Sequence, residues 1–188
     1  MSQKMQSEAE AFWNNSGLAE VCSHYGEVKL GGSMMWGLML DHRDIDLNIF
    51  TPNLERSKAL DCWREIMDTK ALDRCTFSDR VTRRKEGANQ AYGFVILGKT
   101  DAQDVNWNLD IWIVNQEPQQ NLELENLLKT EMTEDKRAII LELKYVRSKG
   151  LISDSVFSTT LYEAVMVWDV QNYEKFNARE KEFTKFSR

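Results

Sequence analysis

Between residues 3 and about 25 the apolar positions Ala9, Phe12 and Trp13, then Leu18 and Val21, return at helical spacing, and Asn14-Asn15-Ser16-Gly17 interrupts them. That predicts two short helices capping a sheet. Val28-Lys29-Leu30 predicts a short strand that runs into the turn Gly31-Gly32-Ser33, and the apolar run 34–40 predicts a helix starting directly after Ser33. A loop follows at Asp41-His42-Arg43. Next, Ile45, Leu47 and Ile49 alternate with Asp44, Asp46 and Asn48, the period-two pattern of a strand with one buried face. The carboxylates all point the other way. Residues 54–67 predict an amphipathic helix that Thr51 or Asn53 can cap. Two apolar runs, 92–97 and 109–114, flank a polar segment rich in Asp, Gln and Asn, as antiparallel strands do.

After Gln116-Glu117-Pro118 the spacing becomes that of long helices. Ile139, Leu143 and Val146 share one face; Phe157, Leu161, Ala164, Val165 and Trp168 share another and read as core. The predicted class is therefore α+β, with a core over residues 1–118 and a helical region over 119–188. No internal repeat or low-complexity tract interrupts it.

The 188 residues allow one domain of good size, or a small catalytic domain with a helical appendage. A hydrophobic fraction of 42%, a charged fraction of 29% and only two prolines and nine glycines are those of an ordered globular chain. The net charge of −6 argues against a partner held by neutralising nucleic-acid phosphates, though a local basic pocket stays compatible with it. Cys22, Cys62 and Cys75 are odd in number and lack a Cys-x-x-Cys pair, so a disulfide framework or thiolate zinc site is not indicated and a reducing, cytoplasmic setting is expected. The first ten residues lack the apolar core of a secretory signal, and no run approaches the roughly 18 apolar residues of a membrane span. No membrane partner is expected.

The glycine-serine turn and the aspartate strand together suggest phosphate and metal chemistry. Glycines let backbone N–H groups approach phosphate oxygens, and a helix starting there presents its positive end. Asp44 and Asp46, at i and i+2 of one strand, lie roughly 6–7 Å apart at the backbone on one face, close enough to converge on hard cations such as Mg2+ or Mn2+. In strands aspartate is depleted and like charges repel, so a purely structural role for the pair is poorly motivated.

This segment resembles the nucleotidyltransferase superfamily named after DNA polymerase beta, whose signature is Gly-Ser, a glycine four residues after the serine, then Asp-x-Asp on a strand. Gly32 and Ser33 match the pair, Gly37 the later glycine, and Asp44 and Asp46 the metal-binding acids. The resemblance covers residues 28–114 and implies a mixed sheet flanked by helices, with a C-terminal helical segment as in small antibiotic-modifying members. It implies a third carboxylate on a later strand, completing the metal site and serving as general base; Asp110, opposite in face to Leu109, Ile111 and Ile113, matches it. The implied activity is metal-dependent transfer of a nucleoside monophosphate from a triphosphate such as ATP to a hydroxyl acceptor, with release of pyrophosphate. The acceptor would be an aminoglycoside, a lincosamide or a protein. The alternative is a non-catalytic nucleotide-binding or antitoxin-type module of the same fold. A template-directed polymerase ranks last, because the chain has little room or basic surface for gripping nucleic acid.

Three other features are read blandly. Gly93-Phe94-Val95-Ile96-Leu97-Gly98-Lys99-Thr100 fits the P-loop pattern by letter, but its bulky β-forming interior reads as a strand. Arg80, Arg83, Arg84 and Lys85 read as solvated loop charge, with contact to triphosphate or an acidic partner as the alternative. His24 reads as structural, while His42 and Arg43 stand beside the proposed site in a loop whose geometry decides whether they touch phosphate.

Overall fold

The computed structural model describes residues 2–40, 42–81, 93–101, 106–115 and 119–183. Asp41, Arg83, Arg84, Lys85, Tyr92, residues 102–104 and the boundary segment 116–118 lie outside them. The chain divides into two compact units, Met1–Glu117 and Pro118–Arg188.

The first unit is built on a five-stranded mixed sheet of order β1-β2-β5-β4-β3. Its strands are β1 (Glu27–Leu30), β2 (Asp44–Phe50), β3 (Arg74–Asp79), β4 (Gly93–Lys99) and β5 (Asn108–Val114). β2 and β5 run parallel; the pairs β1–β2, β4–β5 and β3–β4 are antiparallel. Ile45, Leu47 and Ile49 of β2, Leu109, Ile111 and Ile113 of β5, and Phe94 and Ile96 of β4 are buried on one face. Helices α1 (Ser2–Asn15), α2 (Leu18–Ser23) and α4 (Arg56–Asp68) supply Ala9, Trp13, Leu18, Cys22, Ala59, Cys62 and Ile66 to the same core. With helices occupying that face, the polar positions of the central strands are left on the other.

The two N-terminal helices and their break stand where the spacing put them. Gly17, left-handed at φ +79°, separates them. α4 starts at Arg56, two residues later than expected, and its N-cap is Glu55 without a side-chain cap bond, so neither Thr51 nor Asn53 caps it. α2 and α4 are tied together by Glu65, which accepts from the Tyr25 hydroxyl at 2.8 Å and sits 3.0 Å from His24 Nδ1. These two partners hold the Glu65 carboxyl below its usual range. His24 is thus a structural residue. Cys22 and Cys62 are buried free thiols, and burial pushes Cys22 up to about 12.

Two expectations about this unit fail. The run 34–40 is not a helix: α3 spans only Gly32–Met35, Gly37 turns the chain at φ +66°, and Leu38 and Met39 continue without helix, both fully buried. An apolar run of this kind suits either conformation, and the glycine decided. β3 was not foreseen, because at the sheet edge only Cys75 and Phe77 turn part-way into the core.

In the second unit, α5 (Gln119–Glu131), α6 (Glu134–Ser148), α7 (Ser158–Met166) and α8 (Tyr173–Arg179) form an all-helical body. Thr133 and Asn172 cap α6 and α8 by accepting from Lys136 N–H and Lys175 N–H. The buried face of α6 is Ile140, Leu143, Lys144 and Arg147, one step round from the expected Ile139 and Val146. Arg147 donates to Val156 O at 2.7 Å and Ser158 Oγ at 3.1 Å, and Glu163 accepts from Trp168 Nε1 at 3.1 Å, so these buried polar groups are paired. Leu161, Ala164 and Val165 are core, but Phe157 and Trp168 are 63% and 39% exposed, correcting the expected stripe at both ends. Among the described residues no helix is long and apolar enough to cross a membrane.

Candidate active site

β2 and β5 are remote in sequence, yet their parallel register makes Asp46 and Asp110 direct cross-strand partners and sets Asp44 opposite Asn108. All four side chains are on the face away from the helical core, because each alternates with a buried aliphatic residue. They line a cavity of about 560 Å3, completed by Leu109, Gly98, Lys99, Leu97, Arg74 and Thr76. That size is within the roughly 300–1,000 Å3 of small-molecule sites. Asn108 Nδ2 donates to Asp44 Oδ1 at 2.9 Å, fixing the orientation of that carboxylate.

Asp110 is the acid set deepest in its surroundings by the β5 pairing on both sides. Burial pushes its carboxyl above the usual range; the Arg80 guanidinium pulls it back, the Asp44 charge raises it further, and a Trp112 hydrogen bond lowers it. Its Oδ1 is buried and makes no hydrogen bond among the described residues. A buried carboxylate oxygen without a donor is costly unless a cation or proton meets it, so the donor set fits a hard metal ion. Among the described residues no three Asp, Glu, His or Cys side chains are already drawn together as a metal cage.

The glycine-serine turn abuts the same strand. Gly31 N–H donates to Asp46 O at 2.8 Å, and Gly32 adopts φ +59° against the Asp46 side chain, where an added Cβ would overlap Oδ2. Gly32 therefore leaves the Asp46 carboxylate its place. Gly31, and not Ser33, caps the single turn of α3. So short a helix has little dipole, and any phosphate grip here rests on backbone N–H groups and the Ser33 hydroxyl. α1 braces the turn from behind: Gln6 Nε2 donates to Met34 O at 2.7 Å.

The remaining candidates fall into place around this centre. Arg43 pairs with Glu8 at 2.8 Å and lies 5.2 Å from the ring of Trp107, the residue before β5, which ties it to α1 and the start of that strand. Arg80 stacks 4.9 Å over Trp112 and acts electrostatically on Asp110, so this arginine is more than solvated loop charge. The P-loop look-alike is strand β4. Its glycines answer packing: a Cβ at Gly98 would overlap Leu72, and one at Gly93 the carbonyl of Ile113. The residues sequence reasoning passed over are Arg74, Thr76 and Lys99, which reach the cavity only through the β3–β4–β5 pairing.

No family model and no curated protein matches the chain. Solved structures do. The chain is similar to a cytoplasmic RNA terminal U-transferase, with a TM-score of 0.60 and 17% identity over 88% of this chain and 46% of that one. Cid1 poly(U) polymerase, described with Mg and 3′-dATP bound, gives 0.58 and 17% over 82% and 45%. A Cid1 structure described for its RNA terminal uridylyl transferase activity gives 0.62 and 16% over 90% and 48%. The chain shares the fold of these transferases, the α+β arrangement of a mixed sheet flanked by helices that the sequence led us to expect. The chain spans about half the length of these neighbours. Their descriptions name RNA and uridylyl transfer, so they give the antibiotic-modifying subtype no support, nor the exclusion of nucleic acid suggested by net charge.

Proposed function

We propose that the protein is a metal-dependent nucleotidyltransferase that moves a nucleoside monophosphate from a nucleoside triphosphate to an acceptor hydroxyl. The observation that carries this reading is the cross-strand pairing of Asp46 with Asp110 in the cavity floor, with Asp44 beside them. In the reaction the acceptor oxygen bonds to the α-phosphorus, the bond from that phosphorus to the bridging oxygen breaks, and pyrophosphate leaves with the electron pair. Asp110, directly opposite Asp46 on the cavity floor, takes the proton of the attacking hydroxyl. Asp44 and Asp46, joined by Asp110, would hold Mg2+ or Mn2+, which would supply charge to offset that gathering on the attacking and leaving oxygens. Gly32 and Ser33 hold the triphosphate next to Asp46.

The acceptors to be considered are aminoglycosides and lincosamides, by resemblance to the small antibiotic-modifying enzymes, proteins, and RNA, by likeness to the uridylyl transferases. The test is pyrophosphate release from each nucleoside triphosphate with Mg2+, against a panel of these four acceptor classes. Release that needs Mg2+ and one acceptor class is expected. Calorimetric binding of a Mg-nucleotide without product on any acceptor would favour the non-catalytic, antitoxin-type module instead.

A further inference from the structure

The cavity floor is ruled into two rows that cross four strands. Asp44, Asn108, Lys99 and Arg74 are successive cross-strand partners on β2, β5, β4 and β3; Asp46, Asp110, Leu97 and Thr76 form the next row. All eight residues line the cavity. With strands about 4.8 Å apart, Lys99 stands roughly 10 Å and Arg74 roughly 14 Å from Asp44 at the backbone. The site is therefore acidic at its β2–β5 end and basic at its β4–β3 end.

The sheet does not need these cations. Arg74 and Lys99 face each other directly across β3 and β4, and like charges in that relation weaken a strand pair. Arg74 is exposed and has no ion pair among the described residues. Lys99 lies 3.4 Å from Asp101 in an exposed pair of the kind that solvent screens heavily. A bound anion between them would turn a local repulsion into an attraction.

Strand order decides which substrate that anion belongs to. The glycine-serine turn follows β1, on the far side of β2, while Arg74 and Lys99 lie beyond β5. The acids stand between. A triphosphate gripped at Gly32 and Ser33 and an anion held at Lys99 and Arg74 thus approach the same acids from opposite sides, as donor and acceptor must. The geometry points to Arg74 and Lys99 as an acceptor subsite that binds a phosphate group of the acceptor, with its hydroxyl directed at Asp110; this rests on the nucleotidyltransferase reading above. Leu97, 43% exposed, lies opposite Asp110 and two residues from Lys99 on β4, and offers an apolar surface for the sugar or base that links the two groups. A polycationic acceptor such as an aminoglycoside would meet repulsion at this end.

The experiment compares the full chain with the R74Q/K99Q double variant in binding a fluorescent single-stranded RNA hexamer with a 3′-deoxy end, which cannot react. Mg-nucleotide binding is measured separately by calorimetry. Wild type is expected to bind the hexamer in a salt-sensitive manner, and the double variant roughly 10-fold or more weakly, with Mg-nucleotide affinity kept and the melting temperature level or higher. Competition by a nucleoside monophosphate, but not by the neutral nucleoside, supports the subsite with a small phosphorylated acceptor; competition by oligonucleotides alone supports it with a nucleic-acid end. Equal hexamer affinity in both proteins, no binding of either phosphate probe by wild type, or loss of Mg-nucleotide affinity in the double variant each overturns the subsite. Hexamer binding that depends on the cations in a protein that binds no Mg-nucleotide at all would instead overturn the nucleotidyltransferase reading and leave the phosphate site standing.

Discussion

Asp46→Asn is expected to cut metal-dependent pyrophosphate release by at least about 10³-fold, equivalent to about 4 kcal/mol of lost transition-state stabilisation. Asp46 is the acid placed to face both halves of the site: its carboxylate lies against Gly32 of the phosphate turn and its strand position is opposite Asp110. The amide keeps the shape but loses the charge that a hard divalent cation requires. Strand β2 should be untouched, since Ile45, Leu47 and Ile49 on its other face carry the packing. Steady-state pyrophosphate assay together with thermal melting checks both halves of the statement. Full activity in a folded variant would refute the assignment of Asp46.

Gly32→Ala is expected to be nearly as damaging, and for a steric reason. A Cβ there would overlap Asp46 Oδ2, and the backbone at φ +59° is one that alanine adopts at a cost of about 1–2 kcal/mol. The carboxylate must move, and a displacement of about 1 Å at a reacting centre costs on the order of 10²-fold in rate. Gly31→Ala is the control. Its backbone is extended at φ −131°, and an added Cβ would meet only the Asp46 main-chain oxygen at 3.8 Å and Cβ at 4.0 Å, ordinary contacts. Activity near wild type is expected from it. Assaying the two alanine variants side by side separates a requirement at Gly32 from a general intolerance of the turn, and equal losses in both would contradict the packing described.

How far the sequence could be read depended on how local each signal was. β2 was legible because three buried aliphatic residues alternate with three polar ones inside a single strand. The placement of Asp110 needed the family resemblance, since a lone acid in a β-strand between Trp107 and Trp112 says nothing by itself about its neighbours. Its partnership with Asp46 is a matter of parallel register between distant segments. The short α3 was misjudged for a different reason: every residue from Met34 to Leu40 except Gly37 is apolar, and such a run suits a buried helix and a buried extended segment alike. β3 escaped notice because its edge position leaves half of it facing water. With β3 unseen, Arg74 and Thr76 could not be connected to the acids, and Lys99 looked like the end of a false P-loop. The basic end of the cavity exists only in the folded sheet. Phe157 and Trp168 show the opposite failing, as helical spacing marks a face without telling how far that face extends into solvent.

The central claim is that Asp44, Asp46 and Asp110 gather divalent cations beside a nucleotide held at the glycine-serine turn. Crystals of the protein grown with Mn2+ and a non-hydrolysable nucleoside triphosphate test it through anomalous scattering. The expected result is manganese signal between the three carboxylates, with the triphosphate against Gly32 and Ser33. Manganese and nucleotide bound elsewhere, with none between the three carboxylates, would contradict it.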